Sequence, residues 1–162
     1  MQLKNNYKIL SFILVFFSLS SFFLGFYLDE NSAGGGSYLG DWAIAWPNLQ
    51  LVLNNDISTA INHEDYYSNR TPLLYILHKI FNPFATSEIG YRRSVFFISL
   101  TVPVLFYFCL RQKFKKEDNL LLLLVASTIF LSPYYRTSSY WGLEENYGVI
   151  CLFLSFLFLN FF

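Results

Sequence analysis

The chain has 162 residues and a formal net charge of zero; 54% of it is hydrophobic, 21% aromatic and only 14% charged. Charged content so far below the usual quarter, with long apolar runs, argues against a water-soluble domain. The zero balance leaves no global basic field for nucleic acid. Cys109 and Cys151 both sit inside apolar runs, too isolated for a metal site, and read as small apolar fillers.

Lys4 and Lys8 precede a first apolar run over 9–28. At roughly 20 residues it can cross a hydrocarbon core of ~30 Å. It exceeds the ~7–15 residues of a signal-peptide core and no A-x-A site follows, so an uncleaved first helix is expected.

Residues 29–93 form a loop longer than a connection requires, and its composition (Trp42, Ile44, Trp46, Leu49, Val52) is not that of disorder. It opens on "GGGSYLGDWAIAWP", where Gly34, Gly35, Gly36 and Gly40 permit a tight path; no lysine follows, so a phosphate-binding P-loop is excluded. After Asp41, residues Trp42, Trp46, Leu49 and Leu53 recur at spacings of four, three and four, one helical face. Pro47 fits best in a first turn, so the helix proper is expected to start there, with Asp41 on the approach or capping it. The two tryptophans suit a helix lying at the membrane interface.

A second interfacial helix is expected from Thr71 as cap and Pro72 at its first position, with Leu73, Leu77, Ile80 and Phe81 as its apolar stripe and Asn82-Pro83 as its stop. His78 lies in it, and His63 lies near Glu64 and Asp65; a metal would need a third convergent ligand, so the metal stays unknown. Asn69 matches a glycosylation acceptor pattern but precedes "RTP".

The second apolar run, 94–110, is followed by Arg111, Lys113, Lys115 and Lys116, the densest basic cluster of the chain. Lysine and arginine gather in cytoplasmic loops, so this cluster and the N-terminus are expected inside. A third run, 120–135, then leads out, and a fourth, 149–162, leads back. Loop 29–93 and the pair Glu144-Glu145 in "SSYWGLEENYG" thus face one outer compartment. Arg92 and Arg93 stand on that side, suited to anchoring at headgroups or to gripping a lipid phosphate. The fourth run offers about 14 residues, roughly 21 Å, short of a full crossing, so the chain is read as the N-terminal part of a longer protein. The expected class is an all-α, multi-pass membrane protein with about four transmembrane helices and a long outer loop carrying amphipathic interfacial helices.

This layout, with "SNRTPLLYILHKIF", "YRRSVFFISLTVPVLFYFCLRQKF" and "SPYYRTSSYWGLEEN", resembles the N-terminal third of C-type glycosyltransferases of family 39, the group of protein O-mannosyltransferases and the lipid A aminoarabinose transferase. The resemblance implies a polyprenyl-phosphate-linked sugar as donor and a lipid, glycan or protein acceptor, within a bacterial inner membrane. It implies a catalytic or acceptor-orienting acid in the first outer loop, the place of Asp41, with Asp29 and Glu30 as rivals and Asp56 one helix later. The second acidic position falls on Glu144 and Glu145, where aspartate is commoner; they would orient the acceptor, bind a divalent cation, or support Asp41. Arg92 resembles the arginine opening the second helix and, with Arg93, would hold the donor phosphate. A 162-residue piece alone is expected to be inactive. The alternatives are a non-catalytic membrane subunit, a transporter fragment or an assembly factor, and a glycan polymerase or ligase of another fold.

Overall fold

The computed structural model describes residues 2–31, 37–67 and 71–159, which are helical between their turns, with no strand among them. The glycines at 34, 35 and 36 and Asn69 lie outside the described residues.

Helix α1 (Gln2–Tyr27) contains a stretch, Tyr7–Tyr27, long and apolar enough to cross a membrane. Its end is a Schellman turn: Asp29 N donates to Phe26 O at 3.2 Å and Glu30 N to Gly25 O at 3.0 Å. Asp29 occupies the left-handed position at φ 51°, usually a glycine's place, at a cost of roughly 1 kcal/mol. The neighbouring carboxylates of Asp29 and Glu30 then reach different helices.

A π-helical turn (Ser37–Trp42) runs straight into α2 (Ala43–Asn54). The helix therefore begins ahead of the expected Pro47, whose missing N–H removes one backbone bond near its start. Asp41 lies within this continuous helical stretch, and Trp42 is the residue that precedes α2. The buried face consists of Trp42, Ala45, Asn48, Leu49 and Val52, with Trp46 and Leu53 packed on its flanks. Asn48 is buried on this face, and its amide pins the next loop, donating to Tyr67 O at 3.1 Å and accepting from Tyr67 N at 3.0 Å.

The short α3 (Ile57–Ile61) follows, then α4 (Leu73–Phe81). Helix α4 turns Leu74, Tyr75 and His78 inward and leaves the stripe Leu73, Leu77, Ile80 and Phe81 exposed. Lys79 Nζ donates to Val52 O at 2.8 Å and Asn55 O at 2.6 Å, satisfying the last carbonyls of α2.

Helices α5 (Glu88–Ser99) and α6 (Thr101–Lys113) together form the second stretch long and apolar enough to cross a membrane. Ser87 caps α5 and Asp118 caps α7 (Asn119–Ser127). The expected straight run over 120–135 is broken. A 3-10 turn (Thr128–Leu131) ends it, and α8 (Pro133–Tyr140) leaves at 67°. Pro133 suits only the first turn of a helix, and Ser132 Oγ accepts from Tyr135 N at 3.4 Å as its cap. Helix α9 (Glu145–Leu159) has 15 residues. Among the described residues two helices are thus long and apolar enough to span a membrane, or three if the bent pair is one span; α9, the fourth expected, is a shorter apolar helix.

The core is aromatic. Phe22 packs at 4.9 Å on Phe96 and Phe130 and at 5.3 Å on Tyr135 and Tyr140, joining α1 to α5, to the 3-10 turn and to α8. Such pairs contribute about 0.5–1.5 kcal/mol each beyond their burial. Gly25 makes room beside this cluster: a Cβ there would stand 2.5 Å from Arg136 Nη2 and 2.6 Å from Tyr140 Oη. Gly25→Ala should therefore destabilise the fold by about 1–3 kcal/mol, read as a lower unfolding midpoint in a fixed detergent. An unchanged midpoint would mean that α1 and α8 are not packed this closely.

Candidate functional site

The end of α1, the π-helical turn, α8 and the start of α9 meet at one end of the bundle. The bend after Leu131 swings α8 back across this end, burying every residue from Tyr135 to Leu143. Two buried arginines hold it together. Arg92, 6% exposed, donates from Nη2 to Asp29 Oδ1 at 2.5 Å and from Nε to Tyr140 O at 2.8 Å, and its guanidinium lies 4.1 Å from the Trp141 ring centroid. Arg136, 8% exposed, grips both oxygens of Glu30 and also donates to Ser21 Oγ at 3.2 Å, Ser21 O at 3.1 Å and Phe130 O at 3.0 Å. The forked guanidinium suits such bidentate pairing. The adjacent acids of α1's end are thus each committed to an arginine.

Beside this clamp lies a cavity of about 500 Å³. The π-helical turn supplies Asp41, α8 supplies Tyr134, Thr137 and Ser138, and α9 supplies Glu145 and Asn146. Ser138 Oγ donates to Glu145 Oε2 at 2.7 Å and orients it. Asn146, 3% exposed, spends its amide N–H groups on Ser139 Oγ at 2.7 Å, Ser99 Oγ at 3.0 Å and the Tyr135 carbonyl at 3.4 Å. Tyr91 Oη donates to Gly142 O at 2.8 Å, steadying the left-handed turn (φ 64°) that ends α8 and leads to Glu145.

The structure brings Asp41 and Glu145 to one cavity, where carboxylates can take a proton from a hydroxyl or hold a cation. Glu144 is not among the lining residues. It immediately precedes α9, where acidic groups favour the helix N-terminus, and it stands near Tyr66, whose phenol burial and then the Glu144 carboxylate hold above its ordinary value. Asp29, Glu30 and Arg92 belong to the clamp, and Arg93 is exposed. Among the described residues no three His, Cys, Asp or Glu side chains converge on a metal position; His63 instead pairs loosely with Asp65 at 3.6 Å.

Three residues of this region had no role assigned from sequence. Arg136 and Asn146 are two, and a signal for the first was available: no acidic residue lies within a helical turn of Arg136 in the sequence. His78 is the third, considered only as a ligand. It is 4% exposed, accepts from Asn82 Nδ2 at Nδ1 (2.8 Å), and meets Tyr147 Oη at Nε2 (3.0 Å). Asn82 Oδ1 already accepts from Phe84 N, so its Nδ2 must be the donor and His78 carries its proton on Nε2.

Burial lowers the His78 pKa from 6.5 to about 4. A depressed folded-state value means the contribution is complete above about pH 6.5 and is lost as pH falls towards 4. Stability should therefore drop by up to about 3 kcal/mol across that window, and His78→Gln should flatten the dependence. Unfolding midpoints measured between pH 7 and 4 check this; an equal slope in the variant would exclude His78 as the cause.

Comparison with protein-family models, with curated proteins and with solved structures gives no match. The functional reading accordingly rests on the chemistry of this cavity and clamp.

Proposed function

We propose that the chain is part of an integral membrane glycosyltransferase, which moves a sugar from a polyprenyl-phosphate donor to an acceptor hydroxyl or similar nucleophile on the outer face of the membrane. The observation that carries this is the convergence of Asp41 and Glu145, from distant parts of the chain, on one cavity beside helices long enough to span a bilayer. In this reading α1, the α5–α6 pair and the bent α7–α8 pair cross the membrane, α9 is a fourth span, and the N-terminus lies inside. The exposed stripe of α4 then rests at the lipid interface. Asp41 takes the acceptor's proton as the nucleophile attacks the anomeric carbon, and Glu145, aligned by Ser138, orients the acceptor. Arg92 being committed to Asp29, contact with the departing phosphate falls to the exposed Arg93.

The test is Asp41→Asn introduced at the native locus, with transfer from a radiolabelled polyprenyl-phosphate sugar measured in membranes. Transfer should fall with protein level unchanged. Undiminished transfer removes Asp41 from the site. Stable copurification of a partner, together with tolerance of Asp41→Asn, would favour a non-catalytic membrane subunit.

A further inference from the structure

A second cavity, of about 380 Å³, lies between α4, α5 and the first turn of α9 and shares no described lining residue with that of Asp41 and Glu145. Its size falls within the roughly 300–1,000 Å³ of small-molecule clefts. No acid, lysine or arginine stands among its described lining residues. The walls are apolar, with Leu77, Phe81, Phe84 and Ile98 left exposed. The polar side chains that line it belong to one chain of hydrogen bonds.

That chain has a direction. Asn82 Oδ1 accepts from Phe84 N, so Asn82 Nδ2 donates to His78 Nδ1 at 2.8 Å and to Ser94 Oγ at 2.7 Å. Ser94 Oγ gives its own proton to Tyr91 O at 2.7 Å, which closes that branch. On the other branch His78 carries its proton on Nε2 and donates it to Tyr147 Oη at 3.0 Å. Tyr147 Oη thus receives a hydrogen bond and still has a proton to give, and no described residue accepts it. Leaving such a donor unmet in apolar surroundings is costly. Tyr147 lines the cavity, which is where an acceptor can stand.

The surroundings define that acceptor. It is uncharged, because no lysine or arginine faces it and His78, its pKa lowered by burial to about 4, is neutral at physiological pH. It carries an apolar chain, to match the walls. It comes from the bilayer, because the exposed stripe of α4 and Ile98 of the α5–α6 span run directly into the cavity. The ester carbonyl of a glycerolipid meets all of these conditions: a neutral acceptor at interfacial depth, continuing into an acyl chain.

We infer that this cavity holds one ester-linked acyl chain of a bilayer glycerolipid, its carbonyl oxygen accepting from Tyr147 Oη and its chain lying along Leu77, Phe81 and Ile98. The inference needs the membrane setting but not glycosyl transfer. A polyprenyl phosphate is a poor match, since it has no carbonyl and its headgroup is charged. Asn82 and His78 are positioning residues, which fix the tautomer and leave Tyr147 as the donor. The lipid would tie α4 to α5 and α9 at the outer interface.

The experiment is native mass spectrometry of the delipidated chain in detergent, titrated with dioleoyl phosphatidylcholine or with its diether analogue, which lacks the carbonyls. One diester lipid per chain should be retained, and the diether roughly 3–10-fold more weakly, the worth of one hydrogen bond. Tyr147→Phe should bring the diester down to the diether's level, so that the two lipids are no longer distinguished. Leu77→Asn, at an exposed wall position, should weaken both lipids alike. The diether comparison uses the unaltered chain, so it decides the matter even where Tyr147→Phe does not fold. Equal retention of diester and diether by the unaltered chain, or retention of neither, overturns the inference. Displacement of the diester by an equimolar polyprenyl phosphate also overturns it, by assigning the cavity to the donor.

Discussion

Arg136→Met should lower the stability of the folded chain by about 3–5 kcal/mol, the range for breaking one side of a buried ion pair. The side chain is only 9% exposed and Glu30 only 28%, so neither charge regains full hydration when its partner is lost. Arg136 also satisfies the carbonyls of Ser21 and Phe130, which would be left without that donor. Glu30→Gln should cost a comparable amount by leaving the guanidinium buried and uncompensated. The double variant Arg136→Met with Glu30→Leu should recover much of the loss, since replacing both members of a buried pair is often near neutral. Arg136→Lys should not rescue, because an ammonium cannot reproduce the forked contact. Unfolding in one detergent across the four variants checks this; strictly additive losses would show that the two residues do not act as a pair. The same substitutions should disturb the cavity, because Thr137 and Ser138 are the next residues along α8.

Glu145→Gln should reduce sugar transfer by about 10²-fold, the scale of a lost orienting contact, whereas Glu144→Gln, one residue away, should leave transfer near its original level. Sequence alone cannot separate these neighbours. The fold does: Glu145 lines the cavity under the hydroxyl of Ser138, while Glu144 stands towards Tyr66. Glutamine keeps the size and one oxygen of Glu145, so loss of activity would report the charge and not the packing. Ser138→Ala should give a smaller loss, since it removes alignment and leaves the carboxylate in place.

The apolar runs of α1 and of α5–α6 were legible because length and hydropathy are local properties. The break after Leu131 was written locally too, in Ser132 as cap and Pro133 at the first position, but a count of apolar residues across 120–135 passed over it. The face of α2 was found in part: Trp42 and Leu49 are buried as the periodicity requires, and the helix starts earlier than Pro47 allowed. The clamp could not be read in this way. Asp29 and Arg92 stand 63 positions apart, and Glu30 and Arg136 stand 106 apart, so each pairing depends on which helix ends the fold brings together. For the same reason Asp29 and Glu30 were rivals to Asp41 on paper, whereas in the fold they are the counter-ions of two arginines. Asn146 carried no local signal at all; its three hydrogen bonds reach residues of α5 and α8.

The central claim is that Asp41 and Glu145 serve one reaction in one cavity. Its most direct test is transfer from a radiolabelled polyprenyl-phosphate sugar in membranes carrying, at the native locus, Asp41→Asn, Glu145→Gln or Glu144→Gln at matched protein levels. The account predicts that the first two lose transfer and that their double variant is little worse than either, while the third retains it. Equal transfer in all three would contradict it.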